Sequence, residues 1–176
     1  MNPYLEFVEN IQTGIEQAKE ISNIEGRMSN IEPDENAATV LLFSPHPDDE
    51  CITGLLPLRL MREAGKRIIN IPITFGSNVD RQAGRAAELK AACDFLGWEI
   101  FREEDGFQSL ERTDVLSILE KFQPEIIFMP HSKDWNSRHI STHFLVLEAL
   151  EKMPNNFSCT VVDRVLGGNG RPQPND

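Results

Sequence analysis

Thr39-Val-Leu-Leu-Phe43, followed directly by Ser44-Pro-His-Pro-Asp-Asp-Glu50, decides how this chain reads: an apolar run fit for a buried strand ends in a histidine and three carboxylates. In open α/β sheets, ligands and catalytic residues gather at the carboxyl ends of strands. A helix opening near Pro47 would put His46 and Asp49 on one side of its first turn. Histidine and aspartate are both zinc-ligand types, and a catalytic zinc centre typically has three protein ligands and one position left for water. Asp48, beside a ligand, is then placed to act as a base. A plainer explanation covers part of this pattern, because proline followed by acids is an ordinary helix start, stabilised by free N–H groups and the helix dipole. It accounts for Asp48, Asp49 and Glu50. It does not account for His46, which brings nothing to a helix N-terminus.

The remaining histidines add a second segment. Of the four in the chain, His131, His139 and His143 all fall within Pro130–His143, just after the strand-like run Ile126–Met129. Asp134, Asn136 and Arg138 share that segment, which runs into the amphipathic stretch Phe144–Leu150. His139 and His143 are four apart and would share a helix face, so spacing permits either or both as ligands, or one as ligand with the other packing or capping. Two strand ends thus hold every histidine, and a metal centre between them is the expectation.

The rest of the chain reads as helices alternating with strands. Tyr4, Val8, Ile11, Ile15 and Ala18 recur at helical spacing and predict an amphipathic helix, followed by a loop over Glu25–Ala38. After strand Thr39–Phe43, a helix is expected near Ile52–Ala64, ended by Gly65. Arg67–Thr74 reads as a strand whose Pro72 implies an edge or an irregular end. Helix Arg81–Leu96, a short run Glu99–Phe101, an acidic loop and helix Thr113–Phe122 with a threonine cap come next. Strand Ile126–Met129, a helix carrying His143 through Lys152 and a last strand at Cys159–Val162 complete the pattern. Such alternation implies a doubly wound three-layer α/β/α fold around a mainly parallel, Rossmann-like sheet. Dinucleotide binding is not expected: no G-x-G-x-x-G follows the first strand, and two acids stand where a pyrophosphate would be repelled.

Composition narrows the function classes. One domain over 1–176 is expected, with 40% hydrophobic residues to build a core and a turn-rich, disordered tail over about 166–176. The chain lacks an apolar run of the roughly 18 residues that a membrane span needs, and its start lacks a secretory pattern. Cys51, Cys93 and Cys159 are odd in number and form no C-x-x-C pair, which suits packing residues in a reducing, cytoplasmic setting. A net charge of −11 argues against a nucleic-acid partner.

At this point the motifs resemble a known family. Ser44–Glu50 is similar to the (A/S)-H-P-D-D-E signature of the LmbE-like or PIG-L zinc-dependent N-acetylglucosamine deacetylases. Arg85-Ala-Ala-Glu88 with Leu96-Gly97 resembles the family's R-x-x-E followed by L-G, and Asn136-Ser-Arg-His139 with Thr142, Leu145 and Val146 falls in register with its H-P-D-H-x-x-T-x-x-L-V segment. The likeness spans about residues 38–165, with its motifs in the family order.

The resemblance implies metal ligands at His46 and Asp49, a general base at Asp48 and a third ligand at His139, with His143 left by spacing as the alternative. It also implies a sugar-site arginine at Arg85, whose plainer role is an exposed helix residue paired with Glu88. Asn136 stands where the family has its first histidine; an amide can donate to an acyl oxyanion but cannot act as an acid, so His143 or His131 becomes a candidate for that role. Relatives continue with further strands and helices beyond the point where this chain stops, so a homo-oligomer in which a neighbouring subunit completes the pocket is among the expectations. The implied activity is removal of an acetyl group from an N-acetylated amino sugar or glycoconjugate, with Zn²⁺ as the expected cofactor and Fe²⁺, Co²⁺ or Mn²⁺ compatible with the same donors. Its rivals are a metal-binding homologue or scaffold without turnover and a hydrolase of another acyl amide.

Overall fold

The computed structural model describes residues 2–20, 36–102 and 108–164. The expected tail, most of the Glu25–Ala38 loop and most of the acidic loop after Phe101 lie outside them. Helix α1 (Pro3–Glu20) forms where the apolar spacing predicts it, with Leu5, Phe7 and Ile11 exposed. The chain then alternates through β1 (Thr39–Ser44), α2 (Asp49–Thr53), α3 (Leu55–Ala64), β2 (Arg67–Pro72) and α4 (Val79–Leu96). It continues through β3 (Glu99–Ile100), α5 (Arg112–Phe122), β4 (Ile126–Pro130), α6 (Ser137–Leu150) and β5 (Thr160–Arg164).

All five strands pair in parallel in the order β3-β2-β1-β4-β5. The central strand β1 is sealed on both sides, Leu41 pairing with Ile69 and with Ile127. Its alternating residues feed two cores. Leu41 and Phe43 pack with Val115, Ile118 and Leu119 of α5 and Val146 and Ala149 of α6, whereas Val40 and Leu42 pack with Leu89 and Cys93 of α4 and with Leu58 and Met61 of α3. Helices therefore cover both faces, the three-layer doubly wound arrangement. The winding runs outward from β1 to β3 and then resumes on the other side at β4, so the switch point lies between the carboxyl ends of β1 and β4.

Several element boundaries differ from expectation for local reasons. The single helix over Ile52–Ala64 is two, parted at Gly54, because Pro57 has no N–H with which to continue the ladder. Strand β2 stops at Pro72, which pairs with Ser44 on one side, while β3 pairs only with Ile69 and Asn70 on the other. Helix α5 is capped by Glu111 rather than Thr113: the Glu111 N–H donates to the Asp114 carboxylate at 2.6 Å, a capping box that leaves Thr113 inside the first turn.

Candidate metal centre

The first motif leaves β1 through Ser44, whose buried hydroxyl donates to Asn70 Oδ1 at 2.7 Å and fixes the strand end. Pro47 does not open the helix, which begins at Asp49. A turn brings His46 and Asp49 together instead, closed by Asp49 N–H to the His46 carbonyl at 3.3 Å and His46 N–H to Asp49 Oδ2 at 2.9 Å. Between them Asp48 takes φ 131° and ψ −24°, a conformation that a residue with a Cβ rarely adopts. Two hydrogen bonds hold it there: Asp48 N–H donates to Glu50 Oε2 at 2.8 Å, and the Asp48 carbonyl accepts from Cys51 N–H at 3.1 Å. Glu50, only 2% exposed, thus serves as the brace of the strained turn. The Asp48 carboxylate itself is exposed, with no hydrogen-bond partner among the described residues.

The second motif leaves β4 and enters α6 through Asn136, whose side-chain oxygen caps the helix by accepting from Arg138 N–H at 2.9 Å. His139 is 4% exposed and points back towards the first motif, with Nε2 3.3 Å from Asp49 Oδ1. Its Nδ1 lies 3.1 Å from Oδ2 of the buried Asp134. An ionised carboxylate only accepts, so Asp134 would hold the ring proton on Nδ1 whenever Nε2, the atom facing Asp49, serves as a ligand. His143, one turn further along α6, does something else: its Nδ1 lies 2.9 Å from the Pro130 carbonyl and its ring packs edge-on against Phe144. His131 accepts from Lys133 N–H through Nδ1, and its Nε2 is 3.6 Å from Asp163.

His46, Asp49 and His139 each offer a donor atom, all within 4.8 Å of one another, and this is the group among the described residues with the spacing to hold a metal ion. Two imidazoles and a carboxylate suit zinc and also iron, cobalt or manganese. Burial by itself would push the Asp49 carboxyl up; the His46 hydrogen bonds and the charges of His139 and Arg164 outweigh it and hold the group below its ordinary value. Asp49 is therefore an anion at neutral pH, as a ligand must be.

Arg164, at the end of β5, was not marked by any sequence motif. Its Nη2 lies 3.5 Å from Asp49 Oδ1, and its buried Nη1 has no partner among the described residues. Burial lowers its guanidinium from the ordinary value, and the charges of Asp49 and Asp134 offset part of that. Asp134 was visible in the second segment but carried no assigned role; its position just before the Asn136 cap was the available signal. No cysteine belongs to the group of His46, Asp49 and His139: Cys51 is exposed beside the turn, Cys93 is buried in the core, where desolvation pushes its thiol up to about 11, and all three are free.

A cleft of about 400 Å³ opens beside His46, lined also by Phe75, Asn136, Arg81, Arg85 and Arg138. Arg85 does not pair with Glu88. Its guanidinium donates to the Phe75 carbonyl at 3.3 Å and the Pro47 carbonyl at 3.4 Å, tying the loop after β2 to the His46–Asp49 turn. Gly76, at φ 91°, lies beneath it, and a Cβ there would come within 2.6 Å of Arg85 Nη1.

Residues 41–150 match the model of the PIG-L family, described as GlcNAc-PI de-N-acetylase. No curated protein is matched in sequence. Among solved structures, the N,N'-diacetylchitobiose deacetylase from Pyrococcus horikoshii is 25% identical with a TM-score of 0.52, covering 78% of this chain and 58% of that one. The 4-carboxy-2-hydroxymuconate hydratase GalB from Pseudomonas putida KT2440 is 17% identical with a TM-score of 0.55, covering 74% of this chain and 62% of its own. A deacetylase variant from the teicoplanin biosynthetic pathway is 17% identical with a TM-score of 0.54, covering 65% of this chain and 60% of its own. The chain thus spans about six tenths of the length of these structures, and the two at 17% identity share its fold alone.

Proposed function

We propose, because the chain belongs to the PIG-L family of GlcNAc-PI de-N-acetylases, that it is a metal-dependent hydrolase removing an acetyl group from an N-acetylated amino sugar or glycoconjugate. The observation that carries this reading is the convergence of His46, Asp49 and His139 at the switch point between β1 and β4. These three residues would hold a divalent metal, zinc first, which when bound supplies a Lewis acid for the acyl carbonyl and eases deprotonation of water. Asp48, exposed and with no carboxylate partner among the described residues, accepts the proton of the attacking water and returns it to the amine nitrogen as the C–N bond breaks. Asn136 spends its side-chain oxygen on the α6 cap, which leaves its Nδ2 to donate to the developing oxyanion. His143 is engaged with the Pro130 carbonyl, so Asn136, which lines the cleft, is the better donor. Asp134 would hold His139 in the ligating tautomer, and the His46 hydrogen bonds, with a smaller contribution from Arg164, keep Asp49 charged.

The diacetylchitobiose deacetylase likeness supports this reading, whereas the hydratase likeness is a reminder that one fold hosts different chemistries. Acetate release decides between them and from a homologue without turnover. The metal-loaded chain, given a panel of N-acetylated amino sugars and simple N-acetyl amines, should release acetate from the sugars in preference. No acetate from any member of the panel would leave a metal-binding protein without this activity.

A further inference from the structure

Arg164 makes a poor ion pair beside the other arginines. On the surface, Arg59 grips Glu63 with two nitrogens, at 2.7 and 2.9 Å. Arg164 brings only Nη2 to Asp49 Oδ1, at 3.5 Å, and its buried Nη1 has no partner among the described residues. A guanidinium with 16% of its side chain exposed and half of its fork unanswered gains little stability from hydrogen bonding. Charge explains its place better. Asp49, Glu50 and Asp134 are all buried, and the charges of all three bear on Arg164. The oxygen it approaches, Asp49 Oδ1, is also the one that His139 Nε2 faces at 3.3 Å. Imidazoles are neutral when they act as ligands. Three buried carboxylates and one guanidinium then leave two negative charges around His46, Asp49 and His139, which a single divalent ion cancels.

We propose that Arg164 is a resident counter-charge of the metal centre, stabilising the chain when no ion is bound and loosening its hold on the ion when one is. Charges in a partly buried site are screened far less than on the surface. A fixed guanidinium beside a ligand oxygen therefore opposes a second cation there, while easing the mutual repulsion of the acids. Nη2 also competes with the ion for the lone pairs of Oδ1. In its absence the His46 N–H still holds Asp49 Oδ2, so the ligand carboxylate stays in place and the repulsion of the ion is what disappears. Arg164 is on this account a positioning residue, touching neither substrate nor reacting atoms. Its role rests on the metal centre and is independent of which acyl group is cleaved.

Two variants separate charge from shape. When the metal-free chain competes with a chelator for Zn²⁺ and Co²⁺, Arg164→Gln should bind at least about tenfold more tightly than the wild type. Its melting temperature without metal should fall, and the gain on adding metal should grow. Arg164→Lys keeps the charge and should move both quantities back towards the wild-type values. A merely structural arginine would lower metal-free stability and metal affinity together, so opposite signs are the signature. Unchanged or weaker binding in Arg164→Gln, an unchanged metal-free melting temperature, or Arg164→Lys behaving like Arg164→Gln overturns the role. Should the glutamine variant fold only with metal present, it should release Zn²⁺ to excess chelator at least about tenfold more slowly than the wild type; equal or faster release, or failure to fold even with metal, overturns it as well. A wild-type chain that binds neither ion sinks the metal centre and this role together, whereas normal binding with the wrong response to Arg164→Gln sinks the role alone.

Discussion

Asp48 combines a strained backbone with an unpartnered carboxylate, the combination expected where conformation serves chemistry rather than stability. Asparagine tolerates positive φ better than most residues, so Asp48→Asn should fold and keep its metal while losing hydrolysis about 10²-fold or more, because an amide cannot accept the water proton. Asp48→Gly should be equally inactive but more stable by about 1 kcal/mol, since glycine adopts this φ without strain. Thermal unfolding read beside acetate release checks both, and near-normal turnover in either variant removes Asp48 from the mechanism. The two α6 histidines separate in the same way. His139→Ala should lose metal, whereas His143→Ala should retain it. Asp134→Asn should weaken metal binding by about 10 to 100-fold through the hydrogen bond behind His139. Metal content and competition with a chelator measure all three; retention in His139→Ala with loss in His143→Ala would move the ligand one turn along the helix.

At the scale of elements, the loops after β1 and β2 act as one unit because Arg85 of α4 bridges their carbonyls over Gly76. Gly76→Ala should therefore cost at least about 1 kcal/mol from positive φ and the displaced guanidinium, and should slow hydrolysis as the His46 turn loosens. Melting temperature and turnover should fall together; an unchanged melting temperature would show that the bridge does not hold. This bridge was not legible in the sequence, where Arg85 suggested either a sugar contact or a partner for Glu88. Carbonyl acceptors on distant loops leave no trace in residue spacing. Apolar periodicity, in contrast, located β1, β2, β4 and β5 and the helices α1, α3, α4, α5 and α6, since burial of apolar faces is written in residue type; it gave β3 only as a short run and did not set α2 apart from α3. Boundaries slipped where a single residue breaks the ladder, at Pro57 and Pro72, or where a glutamate takes the cap from a nearby threonine, at Glu111.

For the whole molecule, the order β3-β2-β1-β4-β5 explains why two motifs some ninety residues apart in sequence meet: they occupy the adjoining strand ends where the winding reverses. The sequence showed that both motifs follow strands, and the family likeness put His139 in register; the contributions of Asp134 and Arg164 depend on tertiary approach and needed the fold. Stability of the sheet against α4 has its own signature. Desolvation raises the Cys93 thiol from 9.0 to about 11, so its contribution is fully present below the unfolded value and is lost as pH rises through the folded one. Denaturant unfolding should lose on the order of 2 to 3 kcal/mol between those limits, and Cys93→Ala, though less stable at neutral pH, should show a shallower decline. An equally steep decline in that variant would assign the loss to other groups. The most direct test of the centre itself is to strip the chain with chelator and follow acetate release from N-acetylated amino sugars as divalent metal is returned. Activity rising linearly to a break at one equivalent, and absent throughout in His46→Ala, Asp49→Ala and His139→Ala, is the expected result; full activity in the stripped chain, or restoration in any of those variants at one equivalent, would contradict it.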